Sequence, residues 1–219
     1  MTETAAMRIN VGCGQGVLAG WVNYDNSPAV LLGRSPLFVW LARTFGLVDA
    51  GSLEFAEYCR KNHVQYANAQ VRLPHADASV DIIYSSHMIE HLDRREARRF
   101  LQECLRVLRP GGVLRLVVPD LRVTIDEYLQ LNHADIFLAQ LQFDLEKPRG
   151  LKGHLSRLIF GGRGHHWMYD RQSLQRLVEA SGFVRVSVLK GGETRIADPG
   201  ALDLHEREIE SIFLEADRP

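Results

Sequence analysis

Short apolar, β-forming runs alternate along the chain with segments whose apolar positions recur at helical spacing. Residues 9–11 (INV) and 21–24 (WVNY) read as two short strands joined by a glycine-rich turn, GCGQG, and a loop. Residues 80–85 (VDIIYS) and 113–118 (VLRLVV) are nearly continuous apolar runs, the pattern of strands covered on both faces. Between 29 and 47, Leu37, Leu41 and Phe45 share a helical stripe, and Pro36 suits a first turn. A second helix is expected over 52–62 with Ser52 as its N-cap, followed by a short strand over 64–67 and a loop over 73–79.

Asp93 opens the clearest amphipathic helix, which runs to Leu108 with Phe100, Leu101, Cys104, Leu105 and Leu108 on one stripe. The arginines at 94, 95, 98, 99 and 106 lie mostly on the other face and read as a solvated surface. RPGG at 109–112 predicts a hard stop before the next strand. Residues 120–165 lose the strand–helix beat, with helical patches only over 124–132 and 136–145, and an excursion of that length predicts a lid or binding element. Asp170 caps a helix to Ala180, Gly182 ends it, and strands follow over 183–189 and 210–215. The succession predicts a three-layer α/β/α sandwich with a doubly wound, mainly parallel sheet, in one domain over 1–219 with insertions at 29–62 and 120–166.

Composition narrows the class without changing that picture. At 219 residues with 46% hydrophobic and 24% charged positions, the chain has the profile of a globular protein with a substantial core. A net charge of −1 supplies no field for nucleic acid or an anionic membrane, so no nucleic-acid partner is expected. Cys13, Cys59 and Cys104 have no metal-finger spacing and fit reduced thiols. Residues 1–10 contain no apolar core of signal-peptide length, and no uncharged apolar run reaches the length of a membrane span. A cytoplasmic location is expected, and the two apolar excursions are compatible with a homodimer.

The chemistry concentrates in INVGCGQGVLAGWVNYD at 9–25. Gly12, Gly14 and Gly16 let a ligand lie against bare backbone, and Asp25 ends the next strand with a carboxylate suited to two vicinal ribose hydroxyls. A nicotinamide-binding fingerprint would place its third glycine at position 17, which is Val17, and its acid further along than Asp25.

GCGQG, Asp25, LPHADASVDIIYSSHMIEHL at 73–92 and LRVLRPGGVLRLVVPD at 105–120 together resemble a class I S-adenosylmethionine-dependent methyltransferase, closest to the small bacterial Methyltransf_11 type. The resemblance covers most of residues 8–190. It implies a Rossmann-like fold, S-adenosylmethionine as cofactor and S-adenosylhomocysteine as product. Gly12, Cys13 and Gly14 would pass under the amino-acid end of the cofactor, and Asp25 would hold the ribose. Asn68, where relatives usually carry an acid, would meet the adenine amino group. Ser85, Ser86 and His87 would end the fourth strand, facing the sulfonium and the acceptor.

Methyl transfer needs a nucleophile aligned behind the methyl carbon, and an alcohol must also lose a proton, for which histidine is a suitable base. His87 is the candidate by position, with His165 or His166 of the excursion as the alternative. HMIEH also places His87, Glu90 and His91 at i, i+3 and i+4, one face of a helical turn. With His165 or His166 they make a candidate divalent-metal set for a metal-assisted O-methyltransferase. The expected activity is methylation of an oxygen or nitrogen on a small-molecule or glycan-like acceptor, with 29–62 and 120–166 on the acceptor side. The reading from another class is a non-catalytic, cofactor-binding regulatory module.

Overall fold

The structure, a computed structural model, describes residues 6–142 and 164–219. Seven strands form one sheet: β1 Arg8–Val11, β2 Val22–Asp25, β3 Gln65–Tyr66, β4 Val80–Ser86, β5 Leu108–Pro119, β6 Val184–Leu189 and β7 Ser211–Asp217, in the order β3-β2-β1-β4-β5-β7-β6. The strands from β3 through β5 are parallel, and β7 runs antiparallel to both of its neighbours. Strand order reverses between β1 and β4, and in such sheets the crevice at the carboxyl ends beside that switch point is where ligands bind.

The described helices are α1 Pro28–Gly33, α2 Pro36–Thr44, α3 Ala50–Lys61, α4 Arg94–Val107, α5 Leu121–Leu131, α6 Ala134–Gln140 and α7 Arg171–Ala180. The main core joins Phe100, Leu101 and Cys104 of α4 and Leu174 and Val178 of α7 to Ile83, Leu114, Leu116 and Leu214 of the sheet. A second cluster, with Trp21, Tyr84, Val117 and Phe213, is covered by Ile196 and Leu202 of the β6–β7 connection. Arg115 and Glu215 stand opposite each other on β5 and β7, both fully buried, with Arg115 Nη1 2.7 Å from Glu215 Oε1. Glu215 also accepts from the Thr194 hydroxyl at 2.6 Å and the Arg195 N–H at 2.8 Å, which fastens the β6–β7 connection to the sheet.

Several local expectations change. Asp49, not Ser52, caps α3, accepting the Ser52 N–H at 2.9 Å, and Ser52 lies buried within the first turn. The stripe predicted from Leu37 and Phe45 faces solvent (60% and 65% exposed), while Val39 and Ala42 pack inward. RPGG does not stop β5: the strand spans it, pairing Val80 with Leu108 and Ile82 with Val113, so the four residues bulge between two pairings with the same neighbour. Arg106 is no solvent ornament. Its guanidinium meets Asp77 at 2.6 Å and the His75 carbonyl at 2.9 Å, fixing the 73–79 loop to α4. α5 begins at Leu121, earlier than expected, because Asp120 caps it. The predicted helical patch over 136–145 is α6 as far as Gln140, and residues 143–145 lie outside the described residues.

Candidate functional site

The site begins where β1 ends. Gly12 and Gly14 adopt positive φ (70° and 49°), the region where an L side chain crowds its own backbone. The N–H groups of Gly12 and Cys13 both donate to the Tyr24 carbonyl, at 2.8 and 3.0 Å, folding the turn against the end of β2. A Cβ on Gly12 would sit 2.3 Å from Met88 Cγ, so glycine is required for space as well as for conformation. Gly14 donates to Asp25 Oδ2 at 3.0 Å, and Ser27 donates to Asp25 Oδ1 at 2.8 Å. Each carboxylate oxygen keeps a lone pair for a further partner.

Two buried amides hold the rest of the turn. Asn10 Nδ2 donates to the Gly16 carbonyl at 2.8 Å and to Asn23 Oδ1 at 3.0 Å. Asn23 in turn accepts the Leu18 N–H at 2.9 Å and donates to the Leu18 and Trp21 carbonyls at 3.1 Å. Neither residue is among the sequence candidates; their signal is an asparagine within each of the two apolar strands that flank the glycine turn.

A cavity of about 420 Å³ opens beside this turn, lined by Gly12, Cys13, Gly14, Tyr84, Ser86, His87 and Glu206 among others. Burial and the neighbouring Asp25 charge push the Cys13 thiol far above its ordinary range, so it is a neutral wall group rather than a nucleophile. Asp203, Glu206 and Arg207 of the β6–β7 connection close one side of the cavity, from a loop without motif or periodicity. Tyr84 donates to Glu206, and burial together with that carboxylate raises its phenol well above the usual value.

The remaining sequence candidates divide. Ser86 lines the cavity, but Ser85 faces into the sheet, fully buried, its hydroxyl donating to the Val11 carbonyl at 2.9 Å. Asn68 Oδ1 already accepts the Gln70 N–H at 2.9 Å in a tight local turn. His166 is exposed and does not line the cavity. His87 takes a positive φ of 47°, anchored by its N–H on the Val117 carbonyl at 2.8 Å. Its Nε2 is 3.4 Å from Ser211 Oγ and its Nδ1 is 3.5 Å from Glu90 Oε1.

Behind His87, one turn of 3-10 helix (Ile89–His91) carries Glu90 and His91. The Glu90 carbonyl accepts the His166 and Trp167 N–H groups at 2.7 and 3.1 Å, which brings His165 onto the turn. One potential ligand atom each from Glu90, His91 and His165 lies within 4.8 Å of the others, while His87 stands outside that set. Burial lowers the His165 pKa from its ordinary value, partly offset by the Glu90 carboxylate.

A mainly parallel sheet with a glycine turn and a carboxylate at its switch point is the site of a Rossmann-like cofactor-binding protein. The family described as "Methyltransferase domain" (Methyltransf_11) matches residues 9–116. A probable S-adenosylmethionine-dependent methyltransferase of Mycobacterium tuberculosis is 33% identical over 125 residues, covering 55% of this chain and 38% of that protein. Trans-aconitate 2-methyltransferase of Azoarcus sp. is 30% identical over 117 residues, covering 53% of this chain and 40% of that protein. The chain thus spans about two-fifths of the length of these curated relatives. A solved SAM-dependent methyltransferase from Methanosarcina mazei shares the fold with a TM-score of 0.53 at 17% identity, over 97% of this chain and 92% of that one. Residues 9–116 thus match a methyltransferase domain, and these relatives support a class I S-adenosylmethionine-dependent methyltransferase with S-adenosylmethionine as its cofactor. Among the described residues no helix is long and apolar enough to cross a membrane.

Proposed function

We propose that this chain transfers the methyl group of S-adenosylmethionine to an oxygen or nitrogen of a small-molecule or glycan-like acceptor. The observation that carries the reading is the cavity that runs from the Gly12–Gly14 turn to His87, with Asp25 hydrogen-bonded to the same turn. Gly12, Cys13 and Gly14 take the amino-acid end of the cofactor, Asp25 takes the ribose, and Asn68 lies toward the adenine. Asp203 and Glu206, with Arg207 beside them, put two carboxylates and one guanidinium on the wall of the cavity proposed to receive the cofactor.

In the transfer, an acceptor lone pair attacks the methyl carbon as the carbon–sulfur bond breaks. The sulfur keeps that electron pair, leaving S-adenosylhomocysteine. His87 takes the acceptor proton, and its ring is positioned between Ser211 Oγ and Glu90 to do so. Of the two segments expected on the acceptor side, 29–62 and the described parts of 120–166 take that role together with the β6–β7 connection, and residues 143–163 lie outside the described residues. In support, Leu37, Phe38 and Trp40 of α2 and Leu129 and Leu131 of α5 expose large apolar side chains. The parent reading is tested by incubating the chain with methyl-labelled S-adenosylmethionine and a panel of hydroxyl, amine and carboxylate acceptors. The expected result is label on one acceptor class, with His87→Asn lowering kcat about 100-fold or more while the KM for S-adenosylmethionine stays near wild type. A His87→Asn enzyme with unchanged kcat would remove the base assignment.

A further inference from the structure

We propose that Glu90, His91 and His165 form a divalent-cation site that takes Zn²⁺ or a similar first-row ion through one carboxylate and two imidazoles. The cluster is built before any ion arrives. The Glu90 carbonyl pins the backbone of His166 and Trp167, and His91 Nδ1 lies 3.1 Å from the Gly164 carbonyl. The two imidazole rings meet at 4.9 Å between centroids and 71° between planes, so they approach edge to face.

The polar atoms of this cluster lack the partners that burial demands. Glu90 is 1% exposed, yet neither carboxylate oxygen has a hydrogen-bond partner. An ionised carboxylate in that state carries an uncompensated desolvation cost. His165 is 8% exposed, and its Nδ1 is likewise without a partner. A backbone carbonyl can only accept, so the contact with Gly164 places the ring hydrogen of His91 on Nδ1 and the free lone pair on Nε2. A ligating histidine typically donates its second nitrogen to a carbonyl in this way, which fixes ring and tautomer.

Two histidines and one glutamate are a ligand set that leaves a coordination position open for water or another oxygen. The donors lie within 4.8 Å of one another, and a tetrahedral zinc site needs them roughly 3.4 Å apart. Small side-chain rotations cover the difference. Imidazole donors favour zinc and its neighbours over Mg²⁺, which prefers oxygen and retained water. His87, 3.5 Å from Glu90, connects this site to the cavity without being a ligand. The competing account is that Glu90 serves only as the ion-pair partner of a protonated His87.

The test uses the full chain made without a histidine tag, stripped with chelator and titrated with Zn²⁺, Mg²⁺ and the spectroscopic probe Co²⁺. The site predicts one saturable equivalent of Zn²⁺, tetrahedral-type visible bands with Co²⁺, a higher Tm with either ion and no Tm change with Mg²⁺. Glu90→Gln and His165→Gln should each weaken Zn²⁺ binding at least about tenfold, whereas His63→Gln on the surface should not. In the stripped state Glu90→Gln should be more stable than wild type, since it replaces a buried carboxylate that has no hydrogen-bond partner. No saturable binding, binding indifferent to both variants, or a stripped Glu90→Gln protein that melts below wild type overturns the proposal. S-adenosylhomocysteine is titrated into the same samples, so failure of the ion site is read separately from failure of the cofactor site.

Discussion

Gly14 and Asp25 meet across the first parallel strand pair, the Gly14 N–H donating to Asp25 Oδ2 at 3.0 Å. The other carboxylate oxygen receives the Ser27 N–H at 2.8 Å, so one side chain fixes both the glycine turn and the entry to α1. A ribose held by Asp25 is therefore held by a group already oriented by the fold, with little ordering left to do on binding. Asp25→Ala should weaken S-adenosylhomocysteine binding about 10- to 100-fold, the worth of a hydrogen-bonded charge, as read by calorimetric titration. An unchanged Kd would remove the ribose assignment.

Gly12 combines a positive φ of 70° with a Cβ position 2.3 Å from Met88 Cγ. Gly12→Ala should cost about 2–4 kcal/mol in urea unfolding, from left-handed strain plus overpacking. Adding Met88→Ala should remove part of that cost, so the double variant should be less destabilised than the sum of the singles. Additive losses would mean that the clash is relieved elsewhere.

Arg115 and Glu215 are a fully buried ion pair between neighbouring strands. Arg115→Met leaves buried Glu215 with only the more distant Arg195 guanidinium at 3.5 Å and should destabilise the fold by about 3 kcal/mol. Arg115→Met with Glu215→Leu should recover much of the loss in the same denaturation measurement, because the isolated charge is gone. A double variant as unstable as the single would show that the pair itself, rather than the orphaned charge, dominates.

His75 Nε2 lies 3.0 Å from the Tyr24 hydroxyl, and burial followed by the Arg106 charge lowers the His75 pKa below its ordinary 6.5. In the window just below 6.5 the unfolded chain then binds more protons than the folded one, so stability rises with pH there. This contribution is present above the unfolded value and is lost as pH falls from 6.5 toward the folded pKa. His75→Phe should flatten the pH dependence of the denaturation midpoint across that window while lowering the plateau above it. A variant with the wild-type slope would place the titration elsewhere.

The parts of the fold legible in the sequence were those whose causes are local. The apolar run 80–85, the Asp93 and Asp170 caps and the glycine turn each carry their structural signal within a few residues. Long-range pairing hid the rest. β5 continues through RPGG because β4 offers partners on both sides of the bulge, which no turn propensity reveals. Nothing local marks the partner of Arg115, which is Glu215, brought opposite it by β7. Ser52 was the expected cap of α3, and the extended backbone of Asp49 with its bond to the Ser52 N–H makes Asp49 the cap instead. At the candidate site, the motif pointed to the glycine turn, Ser86 and His87, which line the cavity, and to Asp25, which is bonded to the turn. Ser85 was turned away by the alternation of a strand whose exact register sequence alone leaves open, and the cover from Asp203, Glu206 and Arg207 came from a stretch with no periodicity to read.

The central claim is that the turn between β1 and β2 is a methyl-donor site, and calorimetric titration of the full chain with S-adenosylmethionine and S-adenosylhomocysteine tests it most directly. The account predicts saturable one-to-one binding of both, weakened by Asp25→Ala. No binding of either ligand at millimolar concentration, by a chain whose thermal unfolding shows it folded, would contradict it.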